Sequence, residues 1–259
     1  MSARITPLRL EAFEQLPKHA RRCVFWEVDP ATLRGDDHLT DPEFEKEAWL
    51  SMVMLEWGSC GQLAVHCPEP GLGNPDEPLR RSGSGDEPCL GYAFYAPPGA
   101  VPRAQLFPSG PVSADAVLLT SVGVETGEGC DGLPASLLAS VVADLVRRGV
   151  RALEAFGHTA DVAGMLAADE VPAELRSVVE VLGDCSVEQC TIGADFLEGV
   201  GFTVVTPHRY FPRLRLELEE GLGWKAGVEA ALERLLESAQ LQQPVGAGAS
   251  PCLVSSRRM

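Results

Sequence analysis

Between Asp115 and Phe156 the chain changes its hydrophobic period twice. DAVLLTSVGVE is an apolar run of strand character, and the glycine-rich TGEGCDGLP follows it. ASLLASVVADLVRRG then carries apolar residues at helical spacing, and VRALEAF is strand-like again. A strand that ends in a glycine turn opening a helix aims unpaired backbone N–H groups outward, which is the geometry that receives a phosphate.

The flanking segments extend this unit in both directions. RITPLRL alternates, EAFEQLPKHARRC is helix-like with a break at Pro17, and VFWEVDP suits a buried strand or a pocket wall. Asp41 is placed to cap a helix that starts at Pro42 and runs to Gly58, with Phe44, Ala48, Met52 and Leu55 along one apolar face. CGQLAVHC and CLGYAFYAP are strands separated by residues 68–88, a Pro/Gly/Ser-rich loop. After the central unit, 157–190 is acidic with a helix in AELRSVVEVL, and ADFLEGVGF is a short helix. FTVVTPHRYFPRLRLELE gives two strands, of which RLRLELE alternates as a half-exposed one. GWKAGVEAALERLLESAQ is amphipathic, and 242–259 has the composition of a disordered tail. Strands and helices alternate without strict βα repetition, so the expected fold is α/β (α+β): a mixed sheet with helices on both faces. We expect one domain over 1–241, with N-terminal helices and strands to residue 67 and a core at 89–220.

Composition narrows the function. With 45% hydrophobic residues in 259, one sizeable core can be buried. The net charge of -16 repels nucleic acid and anionic membrane, and both are excluded as expected partners. There is no apolar run of about 18 residues and no signal-like N-terminus, so a cytoplasmic location is expected. The eight cysteines include no CxxC pair and share no zinc-finger spacing with histidine, so reduced thiols and no metal are expected. A metal-stabilised interaction protein using Cys185 and Cys190 is a weaker alternative.

From Cys89 to Leu218 the order of segments, with CLGYAFYAP, DAVLLTSVGVE, VRALEAF and DFLEGVGFTVV, resembles the Gcn5-related N-acetyltransferase family. CVFWEVDP, WLSMVMLEWGSCG, RRGVRALEAFG and RYFPRLRLEL further resemble actinobacterial proteins of that kind. The resemblance implies a splayed sheet, with acetyl-CoA as co-substrate between DAVLLTSVGVE and VRALEAF. Its pantetheine arm would lie on the backbone of Val122, Gly123 and Val124, and its pyrophosphate on Gly127, Gly129, Gly132 and Ala135. The implied activity is N-acetylation of a small-molecule or protein amine; the acidic surface would favour a cationic one.

Several residues depart from the family pattern. The motif Arg-Gly-x-Gly-x-Gly falls on Gly129-Cys130-Asp131-Gly132-Leu133-Pro134, where only Gly132 matches. Pro134 removes an N–H donor and Asp131 adds a charge that repels phosphate. Leu197 stands where many members place a tyrosine acid. These departures also fit a non-catalytic binding or regulatory domain with a weakened cofactor site.

For the base, Glu154 lies in an apolar strand, where desolvation would raise its pKa; a solvent-facing strand residue is the alternative. Glu125 at a strand end is the second base, or else it complements a helix N-terminus. Tyr210, with His208 beside it in the closing hairpin, would replace the missing acid, and His158 after VRALEAF could relay a proton; hairpin packing and an exposed loop are the plain readings. Cys130 is a weaker nucleophile candidate. Trp26, Glu27, Trp49 and Trp57 are either a cation-binding cluster or core.

Overall fold

The computed structural model describes residues 2–29, 41–67, 88–125, 132–166, 171–176 and 186–218. Residues 68–87 of the expected loop, turn residues 126–131, most of AELRSVVEVL and everything after Leu218 lie outside the described residues. The strands are β1 (Ser2–Pro7), β2 (Gly61–Cys67), β3 (Cys89–Ala96), β4 (Ala116–Val124), β5 (Ala152–His158), β6 (Ile192–Gly193), β7 (Thr203–Thr206) and β8 (Arg213–Glu217). The helices are α1 (Lys18–Arg22), α2 (Pro42–Glu56), α3 (Leu133–Arg147), α4 (Asp161–Leu166), α5 (Val187–Cys190) and α6 (Ala194–Gly199).

One mixed sheet runs in the order β1-β2-β3-β4-β5-β8-β7, with β6 attached to β5. All neighbours are antiparallel except β4–β5 and β5–β6, which are parallel. Each face has its own core. Helix α3 turns Leu137, Leu138, Val141, Val142 and Leu145 onto Tyr95, Leu119, Leu153 and Phe202. On the other face α1 and α2 cover Phe94, Phe107, Phe156 and Phe211. The expected class, a mixed α/β sheet with helices on both faces, is therefore the fold that forms.

Asp41 caps α2 as expected, its Oδ1 accepting from the N–H groups of Glu43 (3.2 Å) and Phe44 (3.1 Å). The buried face of α2 differs from the expected one. Lys46, Trp49, Leu50 and Val53 point inward at i, i+3, i+4 and i+7. Phe44, Met52 and Leu55 are 64%, 47% and 89% exposed. The physical reason is Lys46, which is buried against the Glu27 carboxylate and 4.5 Å from the Phe94 ring centroid. An apolarity count assigns a lysine to the solvent face and rotates the helix wrongly. VFWEVDP is also no strand: Phe25–Glu27 form a turn in which Phe25 and Trp26 are buried.

This assignment is testable by urea unfolding. Leu50→Ala should cost about 2–5 kcal/mol, the cost of emptying a packed site. Leu55→Ala should stay within about 0.5 kcal/mol. Equal shifts for the two variants would contradict the observed face.

Candidate functional site

Strands β4 and β5 begin as neighbours and then part. Their register runs Ala116↔Ala152, Val117↔Leu153, Leu118↔Glu154 and stops there. β4 continues to Val124, still paired with β3 through Gly91↔Val124. One edge of Val122, Gly123 and Val124 therefore lacks a strand partner among the described residues, and all three are partly exposed. β6 enters the opening, with Gly157↔Ile192 and His158↔Gly193. The N–H groups of Gly157 and Thr159 donate to Pro212 (2.9 Å) and Tyr210 (3.0 Å) on the β8 side. β6 therefore occupies the β4 side, and both α5 and β6 touch β4. Residues 187–193 fill the base of the gap, while its outer part at Val122–Val124 remains accessible.

Two glycines shape this edge. A Cβ on Gly123 would lie 2.4 Å from Cε1 of Tyr92, so the tyrosine ring packs flush on the backbone there. Gly132 adopts φ 80°, a left-handed turn that delivers the chain into α3 at Leu133. Pro134 in the first turn supplies no N–H, while Gly132 and Ala135 are exposed at this helix end. Gly127, Gly129, Cys130 and Asp131 lie outside the described residues.

Glu154 is 0% exposed. Its Oε2 accepts from the Ser113 N–H (3.0 Å) and Arg213 Nη1 (2.6 Å), and its Oε1 accepts from Arg215 Nη1 (3.1 Å). Burial raises its pKa most, but the Ser113 hydrogen bonds and the two guanidinium groups together outweigh burial and leave the carboxyl below its ordinary value. The expectation of a raised pKa is thus corrected: the apolar strand conceals two arginines from β8. RLRLELE forms the half-exposed strand its alternation suggests, with Leu214 buried, but Arg213 and Arg215 turn toward this carboxylate.

The remaining site residues are held by separate local contacts. Glu125 is exposed just beyond β4, its N–H bound to the Leu90 carbonyl (2.9 Å). Tyr210 is partly exposed, and its carbonyl accepts from Thr159 beyond β5. His208 Nδ1 accepts from the N–H groups of Tyr210 (3.2 Å) and Phe211 (3.0 Å), a turn-forming role. His158 Nδ1 lies 3.0 Å from Thr191 Oγ1, whose own proton goes to the Val187 carbonyl (2.7 Å). That assigns the His158 proton to Nδ1. Leu197 is fully buried in the α3-side core. Glu154 is set apart from Glu125 and Tyr210, deeper along β5.

The aromatic cluster is committed internally. Trp26 Nε1 donates to the Cys190 carbonyl (2.7 Å) and Trp49 Nε1 to the Ala100 carbonyl (2.7 Å). The Arg148 guanidinium stacks 3.9 Å from the Trp57 centroid. Lys46 takes Glu27, whose pKa burial pushes up against the opposing pull of that lysine. A small cavity that the sequence did not suggest lies here, with room for about one water-sized sphere. Its walls include His19, Cys23, Lys46, Tyr92, Ser121 and Cys190. The i, i+4 spacing of His19 and Cys23 was the one available signal; Cys190 is remote in sequence.

The sequence matches no protein-family model and no curated protein. Solved structures similar to the chain include a PaiA N-acetyltransferase from Thermoplasma acidophilum in complex with coenzyme A. It is 12% identical over 84% of this chain and 99% of that one, with a TM-score of 0.43. The ribosomal-protein-S18-alanine N-acetyltransferase from Escherichia coli is 12% identical over 85% and 97%, with a TM-score of 0.37. A GNAT-like decarboxylase, GphF, in complex with isobutyryl-CoA is 16% identical over 83% and 100%, with a TM-score of 0.44.

The Glu154 network predicts an acid limb in stability. Its carboxyl is held below the ordinary 4.5, so its contribution is complete above that pH and is lost as pH falls toward the lowered folded value. Glu154→Gln should cost about 3–5 kcal/mol at neutral pH, because it removes the carboxylate partner of the largely buried Arg213. It should also flatten the loss of stability below pH 4.5. Denaturant melts at several pH values check both, and a neutral-pH cost under about 1 kcal/mol would refute the network's role.

Proposed function

We propose that the chain transfers an acetyl group from acetyl-CoA to an amine, with the parting of β4 and β5 as the cofactor slot. The observation that supports this is the partly exposed edge of Val122, Gly123 and Val124, which has no strand partner among the described residues and leads toward the α3 N-terminus. An extended amide-bearing arm can hydrogen-bond to such an edge as an added strand would. The N–H groups at that edge suit a thioester carbonyl, and the turn with Gly127, Gly129, Gly132 and Ala135 suits a pyrophosphate.

In this reading Glu125 takes the ammonium proton and the freed amine attacks the thioester carbon. The C–S bond breaks, and the Tyr210 hydroxyl protonates the leaving thiolate. Glu154 is assigned the holding of the strand junction, because both of its oxygens are occupied. The acceptor is a small-molecule or protein amine, and the -16 charge favours a cationic one.

A second reading, a non-catalytic domain on the same frame, is favoured by residues 187–193 filling the base of the gap and by Pro134. Calorimetry with acetyl-CoA and with CoA separates the two. Binding by both is expected for the enzyme, and no heat at millimolar ligand would end that reading. Once an acceptor is found, Glu125→Gln and Tyr210→Phe should each lower kcat about 100-fold, with KM for acetyl-CoA unchanged. Unchanged kcat would remove those two roles.

A further inference from the structure

Three potential ligands converge beside the gap from distant parts of the chain. His19 and Cys23 are one turn apart, on α1 and at its C-cap. Cys190 closes α5. The sulfurs of Cys23 and Cys190 are 3.6 Å apart, and His19 contributes a ring nitrogen so that all three atoms lie within 4.8 Å of one another. A disulfide would hold the sulfurs at about 2.05 Å. Two thiolates each about 2.3 Å from a tetrahedral zinc are instead separated by about 3.8 Å. The observed spacing is that of a thiol–thiol hydrogen bond, is too long for a covalent bond, and is also close to the edge of a metal tetrahedron.

The supporting contacts are those of a held ligand set. Ser186 Oγ accepts from the Gln189 N–H (3.3 Å) and the Gln189 side chain returns the bond, a capping box that fixes the short α5. Trp26 fixes the Cys190 carbonyl. The Cys23 side chain and the Gln189 backbone both stand within hydrogen-bonding reach of the His19 ring.

We propose that His19, Cys23 and Cys190 form a binding site for one zinc ion, with a water from the adjoining cavity as fourth ligand. The set of one imidazole and two thiolates selects a thiophilic ion over magnesium or calcium. The cavity has room for about one water, and all three residues line it. The ion ties α1 to α5, 167 residues apart between Cys23 and Cys190, and so fixes the segment that fills the base of the β4–β5 gap. Each thiol gives up its proton on binding, so affinity falls as pH is lowered. The site stands independently of any acyl transfer.

The test uses the full chain, reduced and stripped of metal, titrated with Co²⁺ and then with Zn²⁺. One equivalent of Co²⁺ should give thiolate charge-transfer absorption with tetrahedral visible bands, and Zn²⁺ should displace it. Cys23→Ser, Cys190→Ser and His19→Gln should each weaken zinc binding by about tenfold or more. Should a variant fail to fold, peptide mapping of the wild-type chain serves instead: Zn²⁺ should protect Cys23 and Cys190 from iodoacetamide. Absence of the thiolate band in the wild-type chain, a band that persists in both cysteine variants, or alkylation of Cys23 and Cys190 unaffected by Zn²⁺ would each overturn the site.

Discussion

The buried Glu154 carboxylate stands where the sheet divides. Its residue forms the last β4–β5 pair, Leu118↔Glu154. From there its oxygens reach Ser113, ahead of β4, and Arg213 and Arg215 on β8. Arg213 also binds the Ser109 carbonyl (3.0 Å) and Thr206 (2.9 Å), and Arg215 binds Asp115. One group thereby joins β5, both closing strands and the segment entering β4. Desolvating a carboxylate is costly unless nearly every lone pair is engaged, and here both oxygens are. The junction below the division is tied together for that reason, and above it β4 and β5 are no longer paired.

A second buried pair plays the corresponding part at the N-terminal side. Lys46 and Glu27 are both nearly inaccessible, and Trp49 and Phe94 flank the ammonium group. A basic and an acidic residue from separate elements meet inside an otherwise apolar layer. Removal of either would leave a charge without its partner, so the pair fixes which face of α2 meets the sheet. It also explains why Glu27 does not await a cationic ligand: the chain supplies its own.

Periodicity made the sheet and its helices legible. DAVLLTSVGVE, VRALEAF and the α3 pattern carry their periods without interruption, and Asp41-Pro42 marks a helix start by cap chemistry alone. The misreadings at α2, β5 and β8 share one cause, which is charge taken up by pairing. Lys46, Glu154, Arg213 and Arg215 each look solvent-facing or chemically activated in isolation, and each is neutralised by a partner 19 to 61 residues away. The convergence of His19, Cys23 and Cys190 was hidden in the same way, since ligands from different elements leave no fixed spacing. Hydrophobic alternation reports on single elements and is blind to such pairs.

The filled base of the gap also bears on the size of the group that the proposed slot would accept. Ser121 of β4 and Cys190 of α5 line a cavity with room for about one water. Cys190 is anchored there by Trp26, and α5 is closed at both ends by its capping box and by the turn into β6. Lengthening an acyl group by each methylene would gain roughly 0.8 kcal/mol from burial, but only where space for it exists. Under the proposed reading that gain would require displacement of residues 187–193, so an acetyl-sized group is the one it expects. The same segment that narrows the slot would thus set its selectivity, and the rigidity of α5 decides how strictly.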